Sequence, residues 1–490
     1  MNLDEFQQRA AYQNDKYSLI IAGAGTGKTF TLLGRIQYLI QKQHLKPEEI
    51  LVISYTNETV NDFKKKSLKY LGFEVPTFTF HKLAKYLLDK ANFAFRLCDE
   101  KMVDYIAEEF LFGYCYNNSL LKKLVLRCHY PFGIGSFDRL IDQGEVIKIK
   151  KMIKQFVLIC STKNYGCNEI NSFYQKAKGK DQAFLTLCFL FHALYQSEKI
   201  SQGFLDFDDL IQEGMNVIEQ IQCFPFRHVL IDEFQDSSFI RISFLEKMVN
   251  HFHMHFTAVG DDCQSIYRFS GTESNCFLIL SSFFPNIKRY YLKYTYRNSQ
   301  ELINIANAFV LKNPSQIKKD ICSSHHTTQP IEILYYFSTK KIYLIIQYIL
   351  QQGNQDILIL SRNSFDWKYY FSDQDIYWTD KTHFHLKQFS GVTFTFMTVH
   401  QSKGLEAQNV ILLHVCDALY GFPIQIKTPK FFRFIFHPDA VPFEEERRIF
   451  YVALTRTKEK VYILTSIFAP SPFVQELLKI AKKQIKTKIF

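Results

Sequence analysis

Short unbroken apolar runs alternate with amphipathic stretches along most of the chain, the pattern of buried parallel strands joined by helices. Leu19, Ile20 and Ile21 end one such run, and Leu32, Leu33, Ile36, Leu39 and Ile40 then recur on one helical face. ILVIS (Ile50 to Ser54) reads as a second buried strand, and the β-prone Phe78 to His81 opens another helix. From about Lys85 to Ile200 long helical stretches take over, which predicts an α-helical insertion. FLDFDDL (Phe204 to Leu210) caps the return, since carboxylates at a helix start favour its dipole. Strands resume at Val229 to Ile231 and Phe256 to Val259. The second half repeats the alternation through TYRNSQEL (Thr295 to Leu302), DILILSR (Asp356 to Arg362), FMTVHQSKGLEAQNVILL (Phe396 to Leu413) and EEERRIFYVALTRTKEKVYIL (Glu444 to Leu464). The closing LLKIAKKQIKTKIF reads as a solvated basic helix end.

The chemistry begins where the first strand ends. Ala22, Gly23, Ala24, Gly25, Thr26, Gly27, Lys28 and Thr29 form a glycine-rich turn from strand to helix, with backbone N–H groups free to wrap a polyphosphate. Lys28 is placed to reach the β and γ phosphates, and Thr29 supplies a hydroxyl for Mg²⁺. Ala22 stands where the strict phosphate-loop pattern has Gly, which leaves the cradle intact. Upstream, Gln7 carries one amide donor and one acceptor, the pair an adenine edge needs. In HVLIDEFQD (His228 to Asp236), Asp232 and Glu233 follow a buried strand, where a phosphate-loop ATPase needs one carboxylate for Mg²⁺ and another to polarise water. GDDCQSIYRFSG (Gly260 to Gly271) places Gln264 to sense a γ-phosphate, and Arg297 and Arg456 supply the cations that neutralise transition-state charge.

Composition narrows the partners. The 490 residues suffice for two or three domains, and a formal charge of +11 favours a polyanion. Lys122, Lys123, Arg127, Lys148, Lys150, Lys151 and Lys154 give the insertion a basic face, which either is simply solvated or tracks phosphates. Eleven cysteines without a CxxC pair fit a reducing compartment. His251, His253 and His255 alternate as in a strand, on a solvated face. The polar N-terminus and the lack of an apolar run near ~18 residues argue against a secretory leader or membrane span, so a cytoplasmic protein is expected.

Taken together, AGAGTGKT, IDEFQD, VGDDCQSIYRFSG, TYR, HQSKGLE and RRIFYVALTRTK occur in an order that resembles the superfamily 1 helicases of the UvrD/Rep type. The GDDCQSIYRFSG and FVLKNPSQ (Phe309 to Gln316) wording is most similar to the DNA helicase IV branch. The resemblance implies that Gln7 reads adenine and Tyr296 stacks on it. It implies that Lys28, Gln264, Arg297 and Arg456 contact phosphates, that Asp232 and Thr29 manage Mg²⁺, and that Glu233 activates water. Glu406 would approach the ribose or its neighbouring phosphate. Tyr55, Asn57, His81, Tyr267, Phe269 and His400 match positions that line a single-strand track in relatives. Two departures stand out: Phe269-Ser270 replaces a Trp-Arg pair, and Thr295 replaces an Asn.

The expected architecture is α/β, with two RecA-like domains enclosing ATP. The first domain comprises residues 1–84 and 201–284 around the helical insertion at 85–200. The second, 285–490, has only a short insertion at 363–394 and no sizeable accessory domain. The resemblance further implies an ATP-dependent helicase or translocase that moves 3′ to 5′ on single-stranded DNA and at single/double-strand junctions, in repair, replication or recombination. The rival is a translocase that strips proteins from DNA without separating strands. Protein partners are not legible.

Overall fold

A computed structural model describes residues 1–490 except 131–134, 274, 354–355, 427–428 and 437–438. In chain order its first strands are β1 (Tyr17–Ile21), β2 (Ile50–Ser54), β3 (Thr77–Thr79), the short β4 (Arg96–Leu97) and β5 (Phe204–Leu205), then β6 (His228–Ile231), β7 (His255–Gly260) and β8 (Lys288–Tyr291). Six of them form a parallel sheet in the order β3-β2-β6-β7-β1-β8. Strand residues alternate between two cores: Leu19, Ile21, Leu51 and Ile53 face one, while Ile20, Ile50, Val52 and Leu230 face the other. Burial on both faces explains the unbroken apolar runs. One expected boundary moves. The first sheet extends past Phe284, because β8 pairs with β1; its side chains are largely exposed, so no apolar run marked it.

The insertion is a helical subdomain running from Glu100–Glu108 to Lys180–Gln202, with its own core around Phe156, Phe184 and Phe191. Its root is fixed by the β4–β5 pairing and by Asp206, which caps the helix Phe207–Asn216 by accepting from the amides of Asp208 and Asp209. Lys199, almost wholly buried, donates to Asp206 at 2.7 Å and to Asp209 at 2.5 Å, so this acidic cap is neutralised as well as hydrogen-bonded.

The second sheet contains β9 (Ile331–Tyr336), β10 (Ile357–Ser361), β11 (Ile376–Trp378), β12 (His383–Leu386), β13 (Thr393–Thr398), β14 (Ala407–Leu412), β15 (Thr457–Ser466) and β16 (Ile485–Ile489). Their order is β11-β12-β13-β10-β14-β15-β9-β16. All neighbours are parallel except β11–β12 and β12–β13, a hairpin laid antiparallel on β13. This hairpin occupies the middle of 363–394, and it buries Phe384 and Leu386 in the parent core while Trp367 packs edge-on against Trp378 at 5.7 Å.

Two other expectations change. The closing basic run is a helix end only in its first part, where the helix Pro472–Ala481 stops: Ile485–Ile489 then pairs with β9 as an edge strand, and its Lys486 and Lys488 make a charged edge that discourages further pairing. His251 ends a helix, His253 sits in a left-handed turn at φ 54° and His255 opens β7, so the three histidines do not share a strand. His255 stacks on His228 at 4.6 Å. Every cysteine is free. No helix among the described residues is long and apolar enough to cross a membrane.

Candidate active site and nucleic-acid interface

Because β1, β2, β6 and β7 are parallel, their carboxyl ends open onto one edge, where ligands of open α/β sheets bind. β1 delivers the phosphate loop there and the helix Lys28–Gln43 follows it. Gly25 and Gly27 adopt positive φ of 71° and 77°. A Cβ on Gly25 would also lie 2.6 Å from the Thr295 hydroxyl and the Arg297 Cβ, so the loop has glycine where the second half of the chain presses on it.

Beside the loop, Lys28 Nζ pairs with Glu233 at 2.6 Å, and the Thr29 hydroxyl donates to Asp232 at 2.8 Å. Burial, reinforced by the Glu233 charge, raises Asp232 to about 6. Burial would raise Glu233 too, but the ammonium groups of Lys28 and Lys403 outweigh it and hold Glu233 well below the usual carboxylate range. The two adjacent carboxylates therefore titrate apart. Thr29 and Asp232 offer paired hard oxygens next to a phosphate cradle, a donor set that suits Mg²⁺.

A cleft of 360 Å³ brings the two halves together: Gly23, Gly25, Thr26, Gly27, Lys28, Thr29, Asp232, Glu233 and Gln264 face Tyr296, Arg297, Glu406 and Arg456. Arg297 Nε donates to Glu406 at 2.7 Å. Arg456 is buried, donates to the Gln264 amide oxygen at 3.3 Å, and is pulled down to about 9, first by burial and then by the Arg297 charge. Thr295, the departure from Asn, donates its hydroxyl to the Ala24 carbonyl at 2.8 Å and so clamps the loop from the other side. Gln7, Ala22 and Ala24 are buried and do not line this cleft. Gln7 instead donates to the Thr26 carbonyl at 3.1 Å and accepts from the Asp4 amide, turning both ends of its amide inward.

The single-strand candidates divide into two groups. Tyr267, Phe269 and His400 form an aromatic cluster across the domain boundary, with Phe269 5.6 Å from His400 and 6.0 Å from Tyr267. Phe269 is 51% exposed, so part of its ring is open to a base. It also borders a second cleft with Lys150, Lys151 and Lys154 of the insertion, although Lys150 and Lys154 are already paired with Glu108 and Asp104. Tyr55 and His81 have partners within the first domain: Tyr55 packs on Phe80 and bonds Ser237, and His81 packs on Phe207 at 4.9 Å. Asn57 is exposed at the start of the helix Asn57–Leu71.

Residues not singled out from the sequence complete the arrangement. Gln235 donates to Glu233 and accepts from the Asp261 amide. Lys403 donates to both Asp236 oxygens at 2.7 Å and to the Gln264 carbonyl at 3.0 Å. Both lie inside motifs that were read, IDEFQD and HQSKGLE, but an amide or ammonium facing inward has no sequence signature of its own.

A phosphate cradle and carboxylate pair on one parallel sheet, completed by two arginines from the second half of the chain, define a phosphate-loop nucleoside triphosphatase with two RecA-like domains. Residues 3–285 match the UvrD/REP helicase N-terminal domain and 379–467 the UvrD-like helicase C-terminal domain. The chain belongs to the UvrD/Rep helicase family. It is 26% identical to DNA helicase IV of Escherichia coli (strain K12) over 97% of this chain and 70% of that protein. It is also similar to ATP-dependent DNA helicase srs2 of Schizosaccharomyces pombe, 26% identical over 71% of this chain and 39% of the relative. ATP-dependent DNA helicase Rep of Buchnera aphidicola (subsp. Baizongia pistaciae) is 27% identical over 68% and 47%. The chain spans less than half of these last two proteins.

Proposed function

We propose that this chain is an ATP-driven motor that steps 3′ to 5′ along single-stranded DNA and separates strands at single/double-strand junctions. The observation that carries the reading is that the groups facing the nucleotide cleft and the groups facing the aromatic cluster share short segments. Gln264 borders the cleft, and Tyr267 and Phe269 follow it within the same loop. In the second domain β13 and β14 are parallel and flank β10, so the connection from Thr398 to Ala407 must run from one sheet edge to the other. His400 of the cluster lies near its start, Lys403 ties its middle to Gln264, and Glu406 of the cleft lies at its end. A shift at either place is therefore felt at the other.

ATP bound in the cleft would bring the scissile phosphoanhydride, and a Mg²⁺ ion there would supply neutralising charge for its oxygens. Lys28 binds the phosphates, Thr29 and Asp232 would hold the metal, and Glu233 accepts a hydrogen bond from the attacking water. Arg297 and Arg456 stabilise charge from the opposite domain, which couples hydrolysis to closure. On the track, Phe269 holds a base by stacking, worth ~1–3 kcal/mol without sequence preference. Tyr296, 64% exposed at the cleft, suits stacking on the adenine, and Gln7, which spends one N–H on the Thr26 carbonyl, keeps a second N–H and a second lone pair for the base edge.

The test is unwinding of duplexes with 3′ or 5′ single-stranded tails, beside displacement of a protein block from single-stranded DNA. Strand separation on 3′-tailed duplexes alone supports the proposal. Protein displacement without strand separation would favour the translocase reading, and activity on 5′ tails would reverse the polarity.

A further inference from the structure

Behind the cleft, and not lining it, the segment after the helix Gln300–Val310 passes between the phosphate loop and the loop after β7. Asn313 bonds the Glu444 carbonyl of the second domain at 2.9 Å, and the Ile317 amide donates to Asp262 at 2.7 Å. Two residues on, Lys319 buries its ammonium between Asp261 and Asp262, with Asp262 at 2.5 Å and Cys263 Sγ at 3.5 Å. Asp261, Asp262 and Cys263 are clustered closely enough to hold a metal ion, but the Lys319 ammonium already fills that place. Burial alone would lower Lys319, yet the two aspartates raise it well above its ordinary value, so it stays charged.

Asp261 is the junction of two hydrogen-bond chains. Its Oδ2 accepts from the Gln264 side-chain nitrogen at 2.7 Å, which turns the amide oxygen of Gln264 toward Arg456. Its backbone amide donates to Gln235, whose own nitrogen donates to Glu233. The groups assigned to the γ-phosphate and to the attacking water therefore hang on one carboxylate residue, and that carboxylate is held by a lysine from a segment anchored on the other domain.

We propose that Lys319 is a positioning residue for hydrolysis: by neutralising and orienting Asp261, it fixes the Gln264 amide in the register that Arg456 needs, and only while the second-domain segment is seated. The inference rests on the ATPase reading above. A lysine seated with the closed interface makes the hydrolytic register conditional on closure, without touching nucleotide.

The test compares kcat and KM for ATP at saturating single-stranded DNA in the wild type, Lys319→Met, Gln264→Ala and the double variant. Lys319→Met is expected to lower kcat by at least about tenfold, below the ~10²-fold of a lost transition-state donor, with KM nearly unchanged. In the Gln264→Ala background the same substitution is expected to change kcat by less than about twofold, since residues acting as one device are not additive. Equal losses in both backgrounds, or no loss in the first, would overturn the proposal. If Lys319→Met does not fold, Asp261→Asn takes its place, because it keeps the Lys319–Asp262 pair, and the same non-additivity with Gln264→Ala is required. A wild type that does not hydrolyse ATP would sink the ATPase reading, whereas an active wild type with an unaffected variant would sink only the role of Lys319.

Discussion

Replacing Glu233 by Gln keeps its shape and removes its charge at the one position that separates binding from hydrolysis. In the structure that charge acts on Lys28 and Asp232 as well as on Lys403 and Gln235. Lys28 pairs with it at 2.6 Å, and Asp232 is raised partly because of it. Without the charge, Lys28 needs no exchange of partner to meet a phosphate, and Asp232 ionises more readily for the metal. ATP binding in the presence of Mg²⁺ is therefore expected to be retained or tightened. Hydrolysis loses the group that polarises water, at least ~10²-fold in kcat, or about 2.7 kcal/mol of barrier. The lost charge-assisted hydrogen bond costs about 1–3 kcal/mol of stability, a modest fall in the unfolding midpoint. The assay pairs equilibrium binding of a fluorescent ATP analogue with steady-state turnover on single-stranded DNA. Turnover within a few-fold of the wild type, or loss of nucleotide binding, would refute the division of labour between Lys28 and Glu233.

The other predictions follow from the same geometry. Arg297→Ala and Arg456→Ala should each lower kcat for ATP by ~10²-fold or more while leaving DNA affinity nearly unchanged, as measured by fluorescence anisotropy; lost DNA affinity with intact hydrolysis would move them to the track. Phe269→Ala should reduce DNA-stimulated turnover but leave the slope of log affinity against log salt unchanged, because no phosphate-neutralising charge is removed, and a slope flattened by about a full unit would end the stacking assignment. Phe432, from the second domain, is buried in the core of the helical insertion, and its neighbour Phe431 stacks on Phe184 at 3.7 Å. Phe432→Ala should cost about 3–5 kcal/mol of that docking and raise hydrogen exchange in both the insertion and the loop, whereas a change confined to the loop would show that the insertion does not depend on the contact.

What the sequence revealed most clearly was whatever repeats locally. The alternation of buried strands and amphipathic helices marked both sheets, because parallel strands covered on two faces must be continuously apolar. It failed at the edges. β8 is exposed, β16 (IKTKI) carries two lysines and a threonine in five residues, and each is a strand only because a neighbouring strand accepts it. The phosphate loop, the carboxylate pair and the two arginines were visible as residue types at fixed points, and the fold places them around one cleft. The residues that orient them were not visible. Gln235, Lys403 and Lys319 act through long-range partners, and a lysine that will be buried between two aspartates looks in sequence like any surface lysine. Gln7 is similar: that its amide would also bond the cap of its own helix and the Thr26 carbonyl could not be read from the sequence. Tyr55 likewise has its ring against Phe80 and Arg241 and its hydroxyl on Ser237, partners that no sequence pattern announces.

The central claim is that a cleft shared by two domains hydrolyses ATP in response to a strand held at the aromatic cluster. Steady-state ATP hydrolysis with no nucleic acid, single-stranded DNA, duplex DNA and RNA, compared side by side, tests it most directly. The account predicts a low basal rate, a large rise in kcat with single-stranded DNA and little response to blunt duplex. A rate that is the same with and without single-stranded DNA would contradict it, because the segments joining Gln264 to Phe269 and His400 to Glu406 would then transmit nothing.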